Sequence, residues 1–156
     1  SVLDDCLHMV SAEIEKKHQT LTISKDIIYP YIYMDISRFT EIILNLISNA
    51  IKYMDKGKGM KGIIQIRVKD VGDFVQVEIE DNGKGIAAKD LPYIFDRFYR
   101  TDVSRNSAKG GSGIGLSIVR KILEDHGGKV WATSREDIGT IMYFVLRKYQ
   151  EVPVNE

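Results

Sequence analysis

Two asparagines and a lysine share one face of a predicted helix. Asn45, Asn49 and Lys52 are spaced at i, i+4 and i+7, which places their side chains on the same side. Asparagine is unfavourable inside a helix because its side chain competes for backbone hydrogen bonds. The three residues can form a polar edge on a half-exposed helix. Alternatively, they can serve a Mg²⁺–nucleotide site, because Mg²⁺ prefers oxygen ligands and needs few from the protein.

An acidic residue followed by glycines comes directly after a predicted strand. Asp81 ends the strand, and Gly83 and Gly85 follow it in the sequence DNGKGI, which closes at Ile86. Glycine lets a chain turn sharply and lets its backbone approach a ligand. Taken alone, this segment is explained more simply as an ordinary turn.

Four glycines within six residues open a second predicted helix. They lie in the sequence GGSGIGL, residues 110–116. Unpaired N–H groups and the positive end of the helix dipole meet at a helix N-terminus and attract an anion. The preceding residues, 97–112, carry four basic side chains against one aspartate, a net charge of +3. These features favour phosphate binding over a flexible hinge.

The composition is that of a globular protein with balanced charge. The 156 residues contain 22 basic and 22 acidic side chains, so any anion must be held locally and nucleic acid is not expected as a partner. A single cysteine, Cys6, and the lack of zinc-ligand spacing favour a reducing, cytoplasmic environment. No segment approaches the ~18 to 20 apolar residues that span a bilayer, so no direct membrane contact is expected.

Hydrophobic periodicity predicts the elements that position these segments. The predicted helices cover residues 2–18, 36–54, 90–98 and 113–126, and Asp35 is the expected N-cap of the long central helix. The predicted strands cover residues 20–24, 64–69, 75–80, 129–134 and 140–147, with the last four forming two hairpins. Residues 55–62 and 99–112 are predicted loops.

Together, and in this order, four segments resemble the sequence boxes of one family. Residues 45–53 are similar to its N box, 81–86 to its G1 box, 94–100 to its F box and 111–116 to its G2 box. The family is the catalytic and ATP-binding domain of two-component sensor histidine kinases, in the gyrase, Hsp90, histidine kinase and MutL superfamily. The resemblance covers about residues 20–147.

The resemblance implies an α+β fold, a two-layer α/β sandwich of the Bergerat type. Helices would cover one face of a mixed, mainly antiparallel sheet, and ATP would lie between them and a mobile lid formed by residues 99–112. Residues 1–18 would be the end of a connecting helix or the first helix of the domain. Residues 19–148 would be the ATP-binding catalytic domain and 149–156 a polar tail. Because the chain starts at Ser1, we expect a piece of a longer protein.

The resemblance also implies roles for individual residues. Asp81 would accept a hydrogen bond from the adenine amino group, and Asn49 would bind Mg²⁺ beside Asn45. The groups expected to face the phosphates belong to Lys52, Arg97, Arg100, Gly111, Gly113, Ile114, Gly115 and Leu116. The residues expected around the base and sugar are Tyr53, Gly83, Gly85, Ile86, Leu116 and Thr140. Phe95 and Phe98 would anchor the lid to the body.

Other functions are less favoured by the same residues. Hydrolytic ATPases of the superfamily carry a glutamate general base four residues before the magnesium asparagine, where this chain has Asn45, whose amide cannot accept a proton at neutral pH. An anti-sigma-type serine kinase is not expected to show the Phe95 and Phe98 pair. A non-catalytic nucleotide-sensing module would be expected to have lost a glycine or Asp81.

The chain lacks the phosphoacceptor sequence of the family, a histidine followed by an acidic residue and later by Pro-Leu. His8, His18 and His126 share no motif with a nucleophile or a carboxylate. The resemblance therefore implies that the γ-phosphate of Mg–ATP passes to a histidine on a separate dimerisation segment of the parent kinase, and then to a response regulator. The isolated domain is expected to be monomeric, whether or not its parent is anchored in the cell membrane.

Overall fold

A five-stranded mixed sheet forms one layer of the computed structural model, which describes residues 4, 5, 8, 19–25, 34–54, 61–99 and 115–148. The strands are β1 (Gln19–Lys25), β2 (Gly62–Val71), β3 (Phe74–Asp81), β4 (Lys129–Arg135) and β5 (Gly139–Arg147). Their spatial order is β1-β2-β3-β5-β4. β1 runs parallel to β2, and the other neighbours are antiparallel. The predicted fold class, α+β with a mixed, mainly antiparallel sheet, is confirmed.

Two helices, α1 (Ile36–Lys52) and α2 (Gly115–Asp125), pack on one face of this sheet. The core between the two layers contains the alternate apolar residues of the inner strands, such as Ile66, Ile79 and Phe144. The buried face of α1 consists of Ile42, Ile43, Leu46, Ile47, Ala50 and Ile51. The alternation that predicted both hairpins therefore reflects one buried face and one outer face of the sheet.

The start of α1 agrees with its predicted cap. The Asp35 carboxylate accepts hydrogen bonds from the Ser37 N–H at 2.7 Å and from the Ser37 hydroxyl at 2.6 Å. These bonds to the charged form lower the pKa of Asp35. The helix ends at Lys52, two residues earlier than predicted, and the Tyr53 N–H still bonds the Asn49 carbonyl oxygen at 3.2 Å.

The end of α2 is closed by the two glycines that the sequence suggested. The Gly128 N–H bonds the Leu123 carbonyl oxygen at 2.7 Å, and the Gly127 N–H bonds the Glu124 carbonyl oxygen at 3.1 Å. This pair of bonds is the Schellman arrangement, which satisfies the last carbonyl groups of a helix.

The predicted helix over residues 90–98 is wrong. The structure has a single 3₁₀ turn, Leu91–Tyr93, followed by further turns. The N–H groups of Tyr93, Asp96 and Tyr99 each bond the carbonyl oxygen three residues earlier, so tight turns replace the α-helical pattern. Phe98 has a φ of +66°, which no α-helix accommodates.

Several predictions concern residues outside the described part of the chain. Asp4, Asp5 and His8 are helical, whereas the remainder of the predicted helix 2–18 is not described. The same holds for most of both predicted loops and for the tail. Within the described residues, no helix is both long enough and apolar enough to cross a bilayer.

Candidate nucleotide-binding site

A buried carboxylate and a buried hydroxyl lie side by side at one end of the sheet. Asp81 closes β3, Thr140 begins β5, and the two are direct partners in the strand register. Opposed residues on one sheet face have Cβ atoms about 5 Å apart. Only 7% of Asp81 and 5% of Thr140 are exposed. Asp81 also accepts the Gly83 N–H at 2.9 Å, which fixes the orientation of its carboxylate.

Ser134 on β4 joins this pair to the glycine segment, and no sequence motif indicates this contact. Its Oγ accepts the Ile86 N–H at 2.7 Å and donates to the Gly139 carbonyl oxygen at 2.9 Å. The Thr140 Oγ1 lies 2.7 Å from the same Ser134 oxygen. Because Ile86 is 48 residues away in sequence, only the folded sheet brings these groups together.

The segment 81–86 is held from three sides. The Lys84 N–H bonds the Tyr53 carbonyl oxygen at 3.1 Å, just after the end of α1. The Lys84 carbonyl oxygen accepts the Asp137 N–H at 2.6 Å from the β4–β5 turn. The Asn82 side chain accepts the Ile63 N–H at 2.8 Å at the start of β2. The segment is thus a fixed loop rather than a simple turn.

Two glycines allow this loop and the β4–β5 turn to meet. Gly85 has a φ of +75°, and a Cβ there would lie 2.1 Å from the Arg135 carbonyl oxygen. Gly139 has a φ of +148°, and a Cβ there would lie 2.0 Å from the Asp81 carbonyl oxygen. Any other residue would force the backbone apart. Gly85 therefore packs against the protein's own turn, a role that the sequence did not indicate.

The asparagine face predicted on α1 exists, and Asn45 reaches towards α2. The Asn45 Nδ2 donates to the Glu41 carbonyl oxygen at 2.8 Å, so its amide bonds back along the helix. The Asn45 Oδ1 would lie only 3.0 Å from a Cβ on Gly115, at the start of α2. Asn49 is half-buried one turn further along, and Lys52 Nζ lies 5.4 Å from the centre of the Tyr53 ring. Asn45 thus lies against the start of α2, whereas Lys52 lies beside Tyr53.

The two phenylalanines of the predicted F box are not equivalent. Phe95 is buried in the core, whereas 59% of Phe98 is exposed. The exposed Arg97 guanidinium lies over the Phe98 ring, with its Cζ 4.7 Å from the ring centre. Because residues 100–112 of the predicted lid lie outside the described residues, the prediction that Phe95 and Phe98 anchor it stays a prediction. The segment is also tied to α2 by the Asp96–Arg120 ion pair at 3.2 Å.

The remaining predicted residues fall into two groups. Ile86 is buried in the core, and the half-buried Leu116 packs against the core. Arg100, Gly111, Gly113 and Ile114 lie outside the described residues. No cluster of three or more His, Cys, Asp or Glu side chains that could hold a metal occurs in the described ranges.

The model of the histidine kinase-, DNA gyrase B- and HSP90-like ATPase family matches residues 34–150 of the chain. The chain belongs to this family. Sensor histidine kinase WalK of Bacillus subtilis is 37% identical over 121 residues, which cover 78% of this chain and 20% of WalK. Sensor protein kinase WalK of Staphylococcus aureus is 37% identical over 112 residues, 72% of this chain and 26% of that protein. The chain thus spans about a fifth to a quarter of the length of these relatives.

Solved histidine kinases share the fold. A nucleotide-free catalytic domain of histidine kinase ThkA is 30% identical, with a TM-score of 0.79 that covers 94% of this chain and 92% of ThkA. ThkA in complex with the response regulator TrrA is 28% identical, with a TM-score of 0.73 over 95% of this chain and 40% of that one. The chain is therefore the ATPase domain of a two-component sensor histidine kinase.

Family membership explains the order of the four segments along this histidine kinase domain. Residues 45–53, 81–86 and 94–99 of these segments lie in the described part of the chain. The loop 81–86 contacts the end of α1 and the β4–β5 turn, so it joins the first segment to the sheet.

Proposed function

We propose that this domain binds Mg–ATP and donates the γ-phosphate to a histidine on a separate segment of its parent kinase. The observation that carries the proposal is the buried Asp81–Thr140 pair at the end of the sheet. An ionised carboxylate can only accept hydrogen bonds, so a ligand group that meets Asp81 has to be a donor. A purine with an amino group at position 6 supplies such a donor.

Base selection follows from the charge of Asp81. Its carboxylate accepts a hydrogen bond from the adenine amino group, whereas guanine presents a carbonyl oxygen at that position. Two facing acceptors leave buried groups unpaired, at a cost of about 1 to 3 kcal/mol. Ile86 and Leu116 provide apolar surface for the base, and Tyr53 lies where α1 ends beside the loop. Gly83 and Gly85 hold the loop in place.

The phosphate end of the site lies towards α2. Asn49 is the proposed Mg²⁺ ligand, with Asn45 positioned beside it by the bond to the Glu41 carbonyl oxygen. Bound Mg²⁺ would neutralise charge that develops on the phosphates. Lys52 and Arg97 supply positive charge from the described residues. We propose the same role for Arg100 and for the backbone of Gly111, Gly113, Ile114 and Gly115.

Phosphoryl transfer needs a nucleophile, and the described residues of the site include no histidine. A histidine nitrogen from the parent's dimerisation segment would attack the γ-phosphorus, and the bond to the β–γ bridging oxygen would break to release ADP. Catalysis of this step is mainly positioning and charge stabilisation. The ThkA–TrrA complex supports a response regulator as the next acceptor. In this proposal, residues 19–148 are the catalytic unit.

Rapid hydrolysis is the weaker alternative because, among the described residues around Asn49, none is placed as a base that could activate water. Asn45 cannot accept a proton, and its amide already bonds the helix backbone. Glu41, one turn away, forms an ion pair with Arg38 at 3.2 Å. Without a positioned base, attack of water on the γ-phosphorus lacks its main assistance.

Calorimetric titration tests the proposal. The chain should bind ATP and ADP more tightly with Mg²⁺ than without it, and ATP about ten- to a hundredfold more tightly than GTP. Equal affinity for GTP and ATP, or no binding of either nucleotide by folded protein, would contradict the assignment.

A further inference from the structure

The Ser134 hydroxyl has a complete set of hydrogen bonds. A serine hydroxyl has one hydrogen to donate and two lone pairs that accept. The Gly139 carbonyl oxygen can only accept, so it takes the hydrogen of Ser134 at 2.9 Å. The Ile86 N–H can only donate, and it occupies one lone pair at 2.7 Å. The remaining contact, with the Thr140 Oγ1 at 2.7 Å, must fill the second lone pair.

This count fixes the direction of the Thr140 hydroxyl. Ser134 has no second hydrogen, so Thr140 donates its own hydrogen to Ser134. The Thr140 oxygen is left with lone pairs only, and any further group that meets it must donate. Asp81, its register partner, is likewise an acceptor. The end of the site therefore presents two acceptors side by side, both buried.

We infer that Ser134 is a positioning residue for nucleobase specificity: it holds Thr140 as an acceptor, so that Thr140 and Asp81 together select a purine with an amino group at position 6. The inference rests on the proposed function, because it assumes that the base lies at Asp81. An amino group has two hydrogens and can satisfy both acceptors, directly or across a bridging water. A carbonyl at position 6 satisfies neither.

The fixed orientation of the Thr140 hydroxyl affects base selection because the hydroxyl is buried. In water, a threonine hydroxyl rotates freely and can donate to a carbonyl as readily as it accepts from an amino group. The Thr140 hydroxyl is buried and already bound, so turning it towards a ligand would leave the Ser134 lone pair unpaired. Loss of one such bond typically changes affinity about tenfold.

The test compares ATP with inosine triphosphate, which has a carbonyl in place of the amino group at position 6 and a hydrogen on the neighbouring ring nitrogen, N1. Dissociation constants for both are measured on the full chain and on Ser134→Ala, with Ser134→Thr as the matched control that keeps the hydroxyl. Ser134→Ala releases the Thr140 hydroxyl, so the preference for ATP should fall about tenfold. In Ser134→Thr, the preference should stay within about twofold of the original.

The ratio of the two constants separates specificity from general damage. A merely structural role for Ser134 would weaken both nucleotides equally and leave the ratio unchanged, which would overturn the inference. Thr140→Val provides a second route, because it removes the acceptor at nearly constant volume and should lower the ratio without any change at Ser134. In the Thr140→Val background, Ser134→Ala should have no further effect on the ratio.

The outcomes also separate this inference from the proposed function. If the unaltered, folded chain binds neither nucleotide, the proposed function fails. If the chain prefers ATP but the ratio is the same in Ser134→Ala and Thr140→Val, the proposed function stands and the inference is wrong. If Ser134→Ala does not fold, Ser134→Cys, whose sulfur is a weak acceptor, takes its place, and an unchanged ratio in that variant would overturn the inference.

Discussion

Asp81 and Thr140 face each other across β3 and β5 at the point where the sheet meets the glycine loop. Their closeness depends on Gly139, since a Cβ there would lie 2.0 Å from the Asp81 carbonyl oxygen. Both side chains lie on the same sheet face as the helices, because directly opposed residues share a face. The end of the site at which we propose that the base binds is therefore built by strand pairing, and the loop only adds to it.

Asp81→Asn should reduce ATP affinity at least tenfold while leaving the fold intact. The amide oxygen can still accept the Gly83 N–H, but the charged acceptor for the amino group is lost, at about 1 to 3 kcal/mol. Titration calorimetry gives the affinity and thermal unfolding gives the stability. Asp125→Asn, an exposed site at the far end of α2, should change neither. Undiminished binding in folded Asp81→Asn would contradict the role of Asp81.

Gly85→Ala should destabilise the protein much more than Gly127→Ala does. Both glycines have a φ of +75°, but a Cβ at Gly127 meets nothing within 4 Å, whereas one at Gly85 overlaps the Arg135 carbonyl oxygen. Gly127→Ala should cost the backbone strain alone, about 1 to 2 kcal/mol. Gly85→Ala should cost at least a further ~2 kcal/mol of overlap and should weaken ATP binding. Urea unfolding measures both, and equal free energies of unfolding would refute the close approach.

The sequence predicted those parts of the fold that depend on local chemistry. The Asp35 cap, the Gly127–Gly128 helix end and both hairpins were predicted because periodicity and capping act over a few residues. Residues 90–98 were misread as a helix, because their pattern of apolar residues is also met by a run of tight turns. The left-handed Phe98 that ends this run has no sequence signal, since only tertiary context selects it.

The site was only partly visible in the sequence, for the same reason. The residues that match the family boxes could be named one by one, and their roles stay predictions. Ser134 was missed because its three partners, Ile86, Gly139 and Thr140, come together only when β4 pairs with β5 and the loop docks on them. A serine within an alternating strand is otherwise unremarkable in sequence.

Asn49→Ala should abolish the gain in ATP affinity that Mg²⁺ provides and should slightly stabilise the fold. Alanine is better than asparagine inside a helix by about 0.5 kcal/mol, so stability and binding should move in opposite directions. Ser48→Ala, at the exposed neighbouring position, is the matched control: it should stabilise the helix similarly and keep the Mg²⁺ effect. ATP titrations with and without Mg²⁺ measure this, and a Mg²⁺ effect retained by Asn49→Ala would assign the ligand elsewhere.

Glu78→Gln should remove part of the acid sensitivity of the fold. Glu78 lies on the sheet face opposite the helices and accepts from Arg67 Nε at 2.9 Å and Gln76 Nε2 at 2.7 Å, with Lys69 Nζ at 3.1 Å. Burial raises the pKa of Glu78, but these partners outweigh burial and lower it below the ordinary 4.5. A depressed pKa stabilises the fold above pH 4.5, and this stabilisation is lost as pH falls through the folded-state value.

The measurement is urea unfolding between about pH 7 and pH 3. At pH 7, Glu78→Gln should cost about 1 to 3 kcal/mol, because hydrogen bonds to a charged group are lost. The difference from the unaltered chain should shrink as pH falls below 4.5, since Glu78 is then protonated first in the unfolded state and, below its folded-state pKa, in both states. A difference that stays constant down to pH 3 would show that the charge of Glu78 contributes nothing.

The chain alone should neither label itself nor hydrolyse ATP quickly, and it should transfer the γ-phosphate once its dimerisation segment is added. Among the described histidines, His126 lies at the far end of α2, about 16 Å from Gly115 by helix length, and its Nδ1 lies 2.7 Å from the Ile122 carbonyl oxygen. That distance keeps its imidazole away from the phosphate end. We therefore expect the acceptor to arrive on another segment.

Incubation with γ-labelled ATP tests whether the chain needs a separate segment to supply the acceptor histidine. Label should appear on the dimerisation segment only when the chain, Mg²⁺ and an intact acceptor histidine are all present, and Asn49→Ala should reduce it strongly. A dimerisation segment whose acceptor histidine is replaced by alanine is the control, since it preserves docking but offers no nucleophile. Acid-labile label on the chain alone, or turnover near ~1 s⁻¹ without the segment, would favour an autonomous kinase or a hydrolytic ATPase. We expect neither self-labelling nor rapid turnover, because the Asn45 amide cannot take a proton from water.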